Sequence, residues 1–458
     1  MIYLLFIVTC LLTVGAYYAA DQELLAPGVV FAGGFAFSEL WALGFVKQWK
    51  LYLHWNTFFV ISGGILSFLL ATILIHWLFN RRKKRQKQSP FASSGSSISF
   101  GYSSGCQEIV LNRWLLIALL LLELVTIIIT VLEMRAMVGG NNLFQTIAAY
   151  RQRSTFSGAD SKLPSYVYFF RTLIMAGNYW FAYVIANNLL ATRRLAIMPT
   201  IIFIVGLLNS MVFGSRGSAI NMMIALVACY GLLYAKDSGH KLKFSWKLFL
   251  ALVLAGAVVL LSFRSIGNLM GRNSHVIPLN EYLAEYLGAQ IKNLDSFLNE
   301  PHPRNFLWGQ NTFAEFIKWI GPKFGWNTRY QLYLPMRFVG RYHLGNVCTT
   351  FSAFYYDFGY AGCFILSAVM GLISQAVFEL ALASRPSRRV DYSSVLYGYI
   401  YPSLVFSFFS NRFYSQQVSP VFFKCIFFWI AYELVFCDWD LVVGWTREHI
   451  FKKGKRES

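Results

Sequence analysis

The feature that most constrains this chain is a series of long apolar runs. Tyr360 to Leu382 and Phe244 to Ser262 are each apolar over about 20 residues, the length an α-helix needs to cross a hydrocarbon core of about 30 Å. Nine further runs of similar character punctuate the 458 residues. Inside lipid every backbone amide must be satisfied within its own segment, and continuous runs of this length fit helices rather than the alternating ten-residue strands of a barrel. An all-α polytopic membrane protein is expected, with eleven spans: Ile2 to Ala19, Ala26 to Val46, Phe58 to Phe79, Trp114 to Leu132, Tyr166 to Leu190, Ile197 to Phe213, Ala219 to Tyr234, Leu248 to Ser262, Tyr360 to Leu382, Val395 to Phe409 and Val421 to Cys437. Hydrophobic residues make up 56% of the chain and charged ones 13%, which excludes a single soluble globular domain.

The formal net charge of +19 suggests nucleic acid at first sight, but the cations cluster in alternate loops. Arg81 to Arg85, Arg193-Arg194, Lys236 to Lys247, Arg385 to Arg389 and Lys452 to Arg456 all fall on one side if the C-terminal tail is cytoplasmic. The positive-inside rule accounts for this pattern without a nucleic-acid partner. The first two spans fit least well, because they place Asp21 and Glu23 inside and Lys47 and Lys50 outside. The N-terminal run lacks the basic n-region of a secretory signal and reads as the first span. Asn80 to Asn112 is a cytoplasmic linker, with a basic block and a Ser/Gly tract suited to anionic lipid. The seven cysteines are scattered and form no Cys-x-x-Cys pair. Walker A, GxGxxG and HExxH motifs are absent, which leaves ATP-driven transport and zinc-protease chemistry without support. No metal or other cofactor is expected.

Three parts follow: residues 1–263 with eight spans, the extracytoplasmic loop 264–345, and residues 346–458 with three spans and a basic tail. In the loop, Leu283, Tyr286, Leu287, Ile291, Leu294 and Leu298 recur near the helical period, so Glu281 to Leu298 is expected to form an amphipathic helix on the bundle or the membrane surface. The loop holds nine Lys or Arg against five acidic residues, a net of +4 on the face the positive-inside rule should deplete. Arg135, Arg151, Arg153, Arg216 and Arg412 add to it. Planar guanidinium groups match phosphate oxygens bidentately, so an anionic ligand such as a pyrophosphate is one reading, and ordinary solvated loop charge is the other. Arg216 stands apart because the turn Gly214-Ser215-Arg216-Gly217 joins two spans and must lie at the membrane boundary, where it either snorkels or holds a ligand. Trp308, Trp319, Trp326, Tyr330, Tyr333, Tyr342, Tyr355 and Tyr356 suit sugar faces or an interfacial aromatic belt. For a transfer onto a hydroxyl, His343, Asp357, Glu281 and Glu285 are candidate bases. Asp357 stands where the chain meets the membrane, and its carboxylate is either functional or paired with Arg341 or Arg337.

Three patches, Gly214-Ser215-Arg216-Gly217, Gly345-Asn346-Val347-Cys348-Thr349-Thr350-Phe351 and Phe354-Tyr355-Tyr356-Asp357-Phe358-Gly359, occur in an order that resembles the Wzy-type oligosaccharide repeat-unit polymerases of bacterial O-antigen, capsule and exopolysaccharide assembly. The resemblance implies a GT-C-like bundle in the bacterial cytoplasmic membrane. Such an enzyme transfers a growing glycan from its polyprenyl pyrophosphate carrier onto the next lipid-linked repeat unit, on the outer face. It implies as partners the lipid-linked oligosaccharide, membrane lipid, and the chain-length regulator and flippase of the same pathway. Arg216, Arg264, Arg337, Arg341 and Arg412 are then expected to bind the pyrophosphate, with Asp357 and His343 as catalytic groups. Arg216 and Arg412 match the family's pattern of an arginine at a span boundary, whereas the paired arginine-rich loop repeats of some members are not recognisable. A lipid-linked oligosaccharide flippase is the main alternative, disfavoured by the long loop and the lack of internal repeats; an O-antigen ligase is the other.

Overall fold

The computed structural model describes residues 1–88, 105–156, 162–213, 216–238, 277–302, 307–326, 334–384 and 387–438, with isolated positions at 242, 246, 250, 261 and 328. Among these residues the fold is all-α, with fifteen α-helices and one two-stranded hairpin. In chain order the helices are α1 (Ile2–Ala19), α2 (Pro27–Leu43), α3 (Trp55–Gln88), α4 (Arg113–Val138), α5 (Leu143–Phe156), α6 (Ser165–Thr192), α7 (Ile197–Val212) and α8 (Arg216–Ser238). Then come α9 (Leu279–Leu287), α10 (Ala289–Asn299), α11 (Ala314–Ile320), the hairpin β1 (Arg337–Val339) and β2 (Tyr342–Gly345), α12 (Thr350–Ala383), α13 (Tyr392–Val405), α14 (Arg412–Gln417) and α15 (Pro420–Phe436).

Five helices, α1, α3, α4, α8 and α12, are long and apolar enough to cross a membrane, and α2 and α7 are shorter apolar helices. Three more predicted spans are occupied by α6, α13 and α15, of 28, 14 and 17 residues. The remaining one, Leu248 to Ser262, lies almost wholly outside the described residues, as does the Ser/Gly tract of the linker. The helix starts follow local chemistry. Asn112, Thr349, Asp391 and Ser419 each accept a backbone N–H of the first turn of α4, α12, α13 and α15. Where Val395 to Phe409 is expected, α13 starts three residues earlier and ends four residues earlier, at Val405.

The two largest of four apolar clusters among the described residues organise the bundle. One joins α2, α3, α12 and the loop helix α10 around Phe31, Phe35, Phe68, Phe351 and Phe354, with Phe31 stacked on Phe68 at 4.1 Å between ring centres. The other joins α4, α6, α7, α8 and α15 around Trp180, Phe181, Tyr432 and Trp429. Helix α13 serves both, giving Ile400 and Leu404 to the first and Val395 and Tyr399 to the second. Around the outside, α1 and α4 bury only 22% and 28% of their most apolar windows and leave Ile7, Leu11, Leu121, Ile128 and Leu132 exposed. A rim this apolar suits hydrocarbon rather than water.

The end of the bundle opposite the loop gathers basic clusters seen in the sequence. There, Lys236 donates to Asp391 at 3.0 Å, Ser384 at 2.7 Å and Ser394 at 3.0 Å, Arg389 pairs with Asp438 at 2.9 Å, and Arg193 approaches Asp237 at 3.8 Å. The acidic loop between α1 and α2 belongs to this basic end, since Glu23 accepts the Leu242 amide at 3.3 Å and Asp21 lies 3.4 Å from His76. The turn after α2 lies opposite: buried Trp49 and Leu51 share a core with Ala289 and Ile291 of the loop helix α10. Lys47 and Lys50 are therefore at the loop end, and the first two helices alternate with the rest.

Candidate functional site at the loop end of the bundle

The expected amphipathic helix is two helices, α9 and α10, which meet at Gly288. A Cβ there would lie 2.7 Å from the Ala42 amide nitrogen, so the chain bends where it docks on the end of α2. Tyr282, Leu283, Ile291, Leu294 and Phe297 face inward, and the pair lies on the bundle. Below α10, buried Asp295 accepts the His54 amide and the Thr57 hydroxyl, both at 2.8 Å, capping α3 from a distant part of the chain.

Helix α9 sorts the predicted site residues into two groups by its own geometry, because residues four apart share a face. On one face are Tyr282 and Tyr286. The buried Arg216 at the start of α8 donates to the Tyr282 hydroxyl at 3.2 Å, and its guanidinium lies 5.8 Å from the centre of the Tyr286 ring. Tyr286 in turn stacks on Phe409, 6.4 Å between ring centres and 7° from parallel. From the far side, the Arg412 guanidinium lies 5.4 Å from Phe409 and 4.8 Å from Phe406, and donates to Asn221 at 3.3 Å. Asn221 is on α8, five residues beyond Arg216. Two arginines from separate parts of the sequence thus bracket one ring pair. Burial pulls the Arg412 pKa down from the ordinary arginine value. An arginine nonetheless keeps its charge, so the bundle holds a cation where solvation is poor.

On the next face are Glu281 and Glu285. Glu281 lies 3.4 Å from the exposed Arg341, and Glu285 lies 2.8 Å from Nδ1 of His343 on β2. Arg337 on β1 is gripped through both its terminal nitrogens by Glu300, at 2.6 and 2.5 Å. This pairing raises the arginine pKa and lowers that of the carboxylate. Arg337 and Arg341 are thus taken up by carboxylates at the hairpin, whereas Arg216 and Arg412 meet at the ring pair. Arg264 lies outside the described residues.

Asp357 pairs with neither Arg337 nor Arg341. Its carboxylate accepts the Asn311 amide at 3.0 Å, the Asn311 side chain at 3.0 Å and the Thr312 amide at 2.6 Å. The Asn411 side chain donates to the Thr312 carbonyl at 2.9 Å, and Asn411 precedes Arg412. Residues 307–320, ending in α11, therefore form a strap fastened on one side to α12 and on the other beside Arg412. Asp357 presents this way because α12 breaks at Gly359, where φ is 67° and ψ is −157°, two residues on.

Under the strap lies a cleft of about 410 Å³, walled by α6, α8, α11, α13, α14 and the start of α15. Tyr179, Asn221, Trp319, Lys318, Tyr399 and Gln416 are among its lining residues, and Asn221 also holds Arg412. Sequence reasoning had Arg216, Arg412 and Trp319 but missed Tyr282, Asn221, Asn311 and Thr312. For Tyr282 a signal existed, its i,i+4 spacing to Tyr286; for the asparagines none did. No protein-family model, curated protein or solved structure matches this chain significantly.

Proposed function

We propose that this protein is a glycosyltransferase that polymerises lipid-linked oligosaccharide repeat units. It would act on the outer face of a bacterial cytoplasmic membrane, in a GT-C-like bundle of eleven spans. The observation that carries the reading is the convergence of Arg216 and Arg412 on the Tyr286–Phe409 ring pair at the loop end, beside a polar and aromatic cleft. A buried and a half-buried guanidinium group, held by hydroxyl, amide and ring faces, suit a polyanion such as a pyrophosphate leaving group. Preorganised charge of this kind contributes several kcal/mol to a transition state in which anionic charge develops. The apolar rim leaves the polyprenyl chain in lipid.

In this reading an acceptor hydroxyl oxygen forms a bond to the anomeric carbon of the donor glycan. The bond from that carbon to the pyrophosphate oxygen breaks, and the leaving group departs as polyprenyl pyrophosphate beside Arg216 and Arg412. The hydroxyl proton passes to a base. His343, whose Nδ1 is held by Glu285, has the oriented imidazole such a step uses. Asp357 spends both oxygens on the strap and is assigned a positioning role. Arg337 and Arg341 fix the hairpin that carries His343.

The test is deletion of the gene in its host, with the surface glycan and lipid-linked intermediates resolved by size. Loss of the long ladder with single repeat units exposed outside supports the reading. Units trapped inside indicate a flippase, and full-length glycan that fails to reach lipid A core indicates a ligase. Complementation with Arg216→Ala is expected to leave folded, inserted protein and no polymer. A normal ladder in that strain removes Arg216 from the site.

A further inference from the structure

We infer that the 410 Å³ cleft beneath α11 is a carbohydrate-binding site, with Trp319 as the platform for one sugar ring and the Glu315–Lys318 pair as hydrogen-bonding partners of its hydroxyls. The volume is within the ~300–1,000 Å³ of small-molecule sites. Only three of its thirteen lining residues, Met175, Pro420 and Val421, are wholly apolar, and most of the surface the lining presents to the cleft is nonetheless carbon, much of it able to come from aromatic rings. The remainder are rings, hydroxyls, amides and one ion pair, the mixture that meets a flat, hydroxyl-studded ligand on both its face and its edge. Glu315 and Lys318, 3.0 Å apart, are 52% and 41% exposed, so their mutual attraction adds little to folding and their polar atoms are open to a ligand. Trp319 is 46% exposed and lines the cleft, while Lys323 lies 5.4 Å from its ring centre.

Position adds to composition. Asn221 lines the cleft and holds Arg412, so a sugar in the cleft has its neighbouring anionic group beside that guanidinium. The wall itself is fixed by Asp357 and Asn411 through Asn311 and Thr312, which ties the height of Trp319 over the cleft to the placement of Arg412. The assignment gives the proposed polymerase its glycan subsite and rests on that reading for its biological role, though binding itself does not require it.

The experiment uses the full chain in detergent, titrated calorimetrically with oligosaccharide released by mild acid from the host's own surface glycan. Saturable binding is expected, weakened about tenfold by Trp319→Ala and less by Trp319→Phe, as the loss of one aromatic contact of ~1.5 kcal/mol implies. Trp326→Ala, an equally exposed tryptophan outside the cleft, is expected to bind as the parent does. Binding unchanged by Trp319→Ala, or absent in the parent, overturns the inference. If deletion of the gene leaves the long ladder intact while Trp319-dependent binding persists, the polymerase reading fails and the sugar site stands. If deletion removes the ladder while Trp319→Ala alters neither binding nor chain length, the sugar site fails alone.

Discussion

Replacing Asp357 with alanine tests the strap directly. The carboxylate accepts three N–H groups from Asn311 and Thr312, and alanine leaves all three without that acceptor. Hydrogen bonds to a charged group contribute about 1.5–3 kcal/mol each, and for a half-buried carboxylate with water nearby about 1 kcal/mol each is the fairer figure. The strap then loses about 3 kcal/mol of its fastening, which at 1.4 kcal/mol per decade is about a 100-fold larger population of the open form. Local opening of this kind is read by hydrogen exchange, where the backbone amides of residues 311–320 are expected to exchange about 100-fold faster. Amides in the middle of α3 and α6 keep their parent rates. Asp357→Asn retains one acceptor oxygen but turns an amide toward donors, and an intermediate increase of about tenfold is expected. A general base makes a different prediction: Asp357→Asn would abolish transfer and leave exchange at 311–320 untouched. Unchanged exchange in Asp357→Ala would refute the fastening argument.

Gly288→Ala puts a methyl 2.7 Å from the Ala42 amide nitrogen and 3.0 Å from the Trp41 carbonyl carbon. A loss of ~1–3 kcal/mol, seen as a lower melting temperature in detergent, is expected from such overpacking. Gly33→Ala, whose new methyl meets nothing closer than 3.8 Å, is the control, and equal melting of the two variants refutes the steric argument. The Arg337–Glu300 pair gives a pH signature. Arg337 lowers the folded-state pKa of Glu300, so its stabilisation is present above the ordinary glutamate value of ~4.3 and is lost as pH falls through the lower folded value. Glu300 is 46% exposed, so solvent screens the pair. Arg337→Gln is expected to cost only ~0.2–1 kcal/mol at neutral pH. The difference between parent and variant melting should vanish toward acid, and a difference that persists there assigns the effect to packing.

The bundle was legible because the signal for a lipid-facing helix is collective: no single residue of Trp114 to Leu132 decides the span, and the run as a whole does. The alternation of basic loops left the acidic turn at Asp21 and Glu23 as its poorest fit, and only contacts with Leu242 and His76 show which end that turn belongs to. Site assignments depend on individual pairings, and these are not written in local sequence. Arg337 and Arg341 were expected to bind a pyrophosphate or to pair with Asp357, yet Glu300 and Glu281, 37 and 60 residues earlier, take them up. Asp357 is held by backbone amides, which every residue carries and no motif marks, and not by the cations its charge suggests. Gly288 is visible in the sequence, but the period of apolar residues runs smoothly through it, and only the proximity of Ala42 makes it a bend.

The break at Gly359 acts as a phase adjuster. In an unbroken helix each residue turns the next by a fixed angle, so the direction in which Asp357 faces would be dictated by how Tyr360 to Ala383 seat themselves against α3. One left-handed residue cancels that dictation. The short turn bearing Phe351, Phe354 and Asp357 is set by its own neighbours, and the rod beyond it by its own. Substitutions that rotate the spanning rod by a few degrees can therefore accumulate without misaiming the carboxylate that holds the strap, and the strap can be remodelled for a different ligand without disturbing the span.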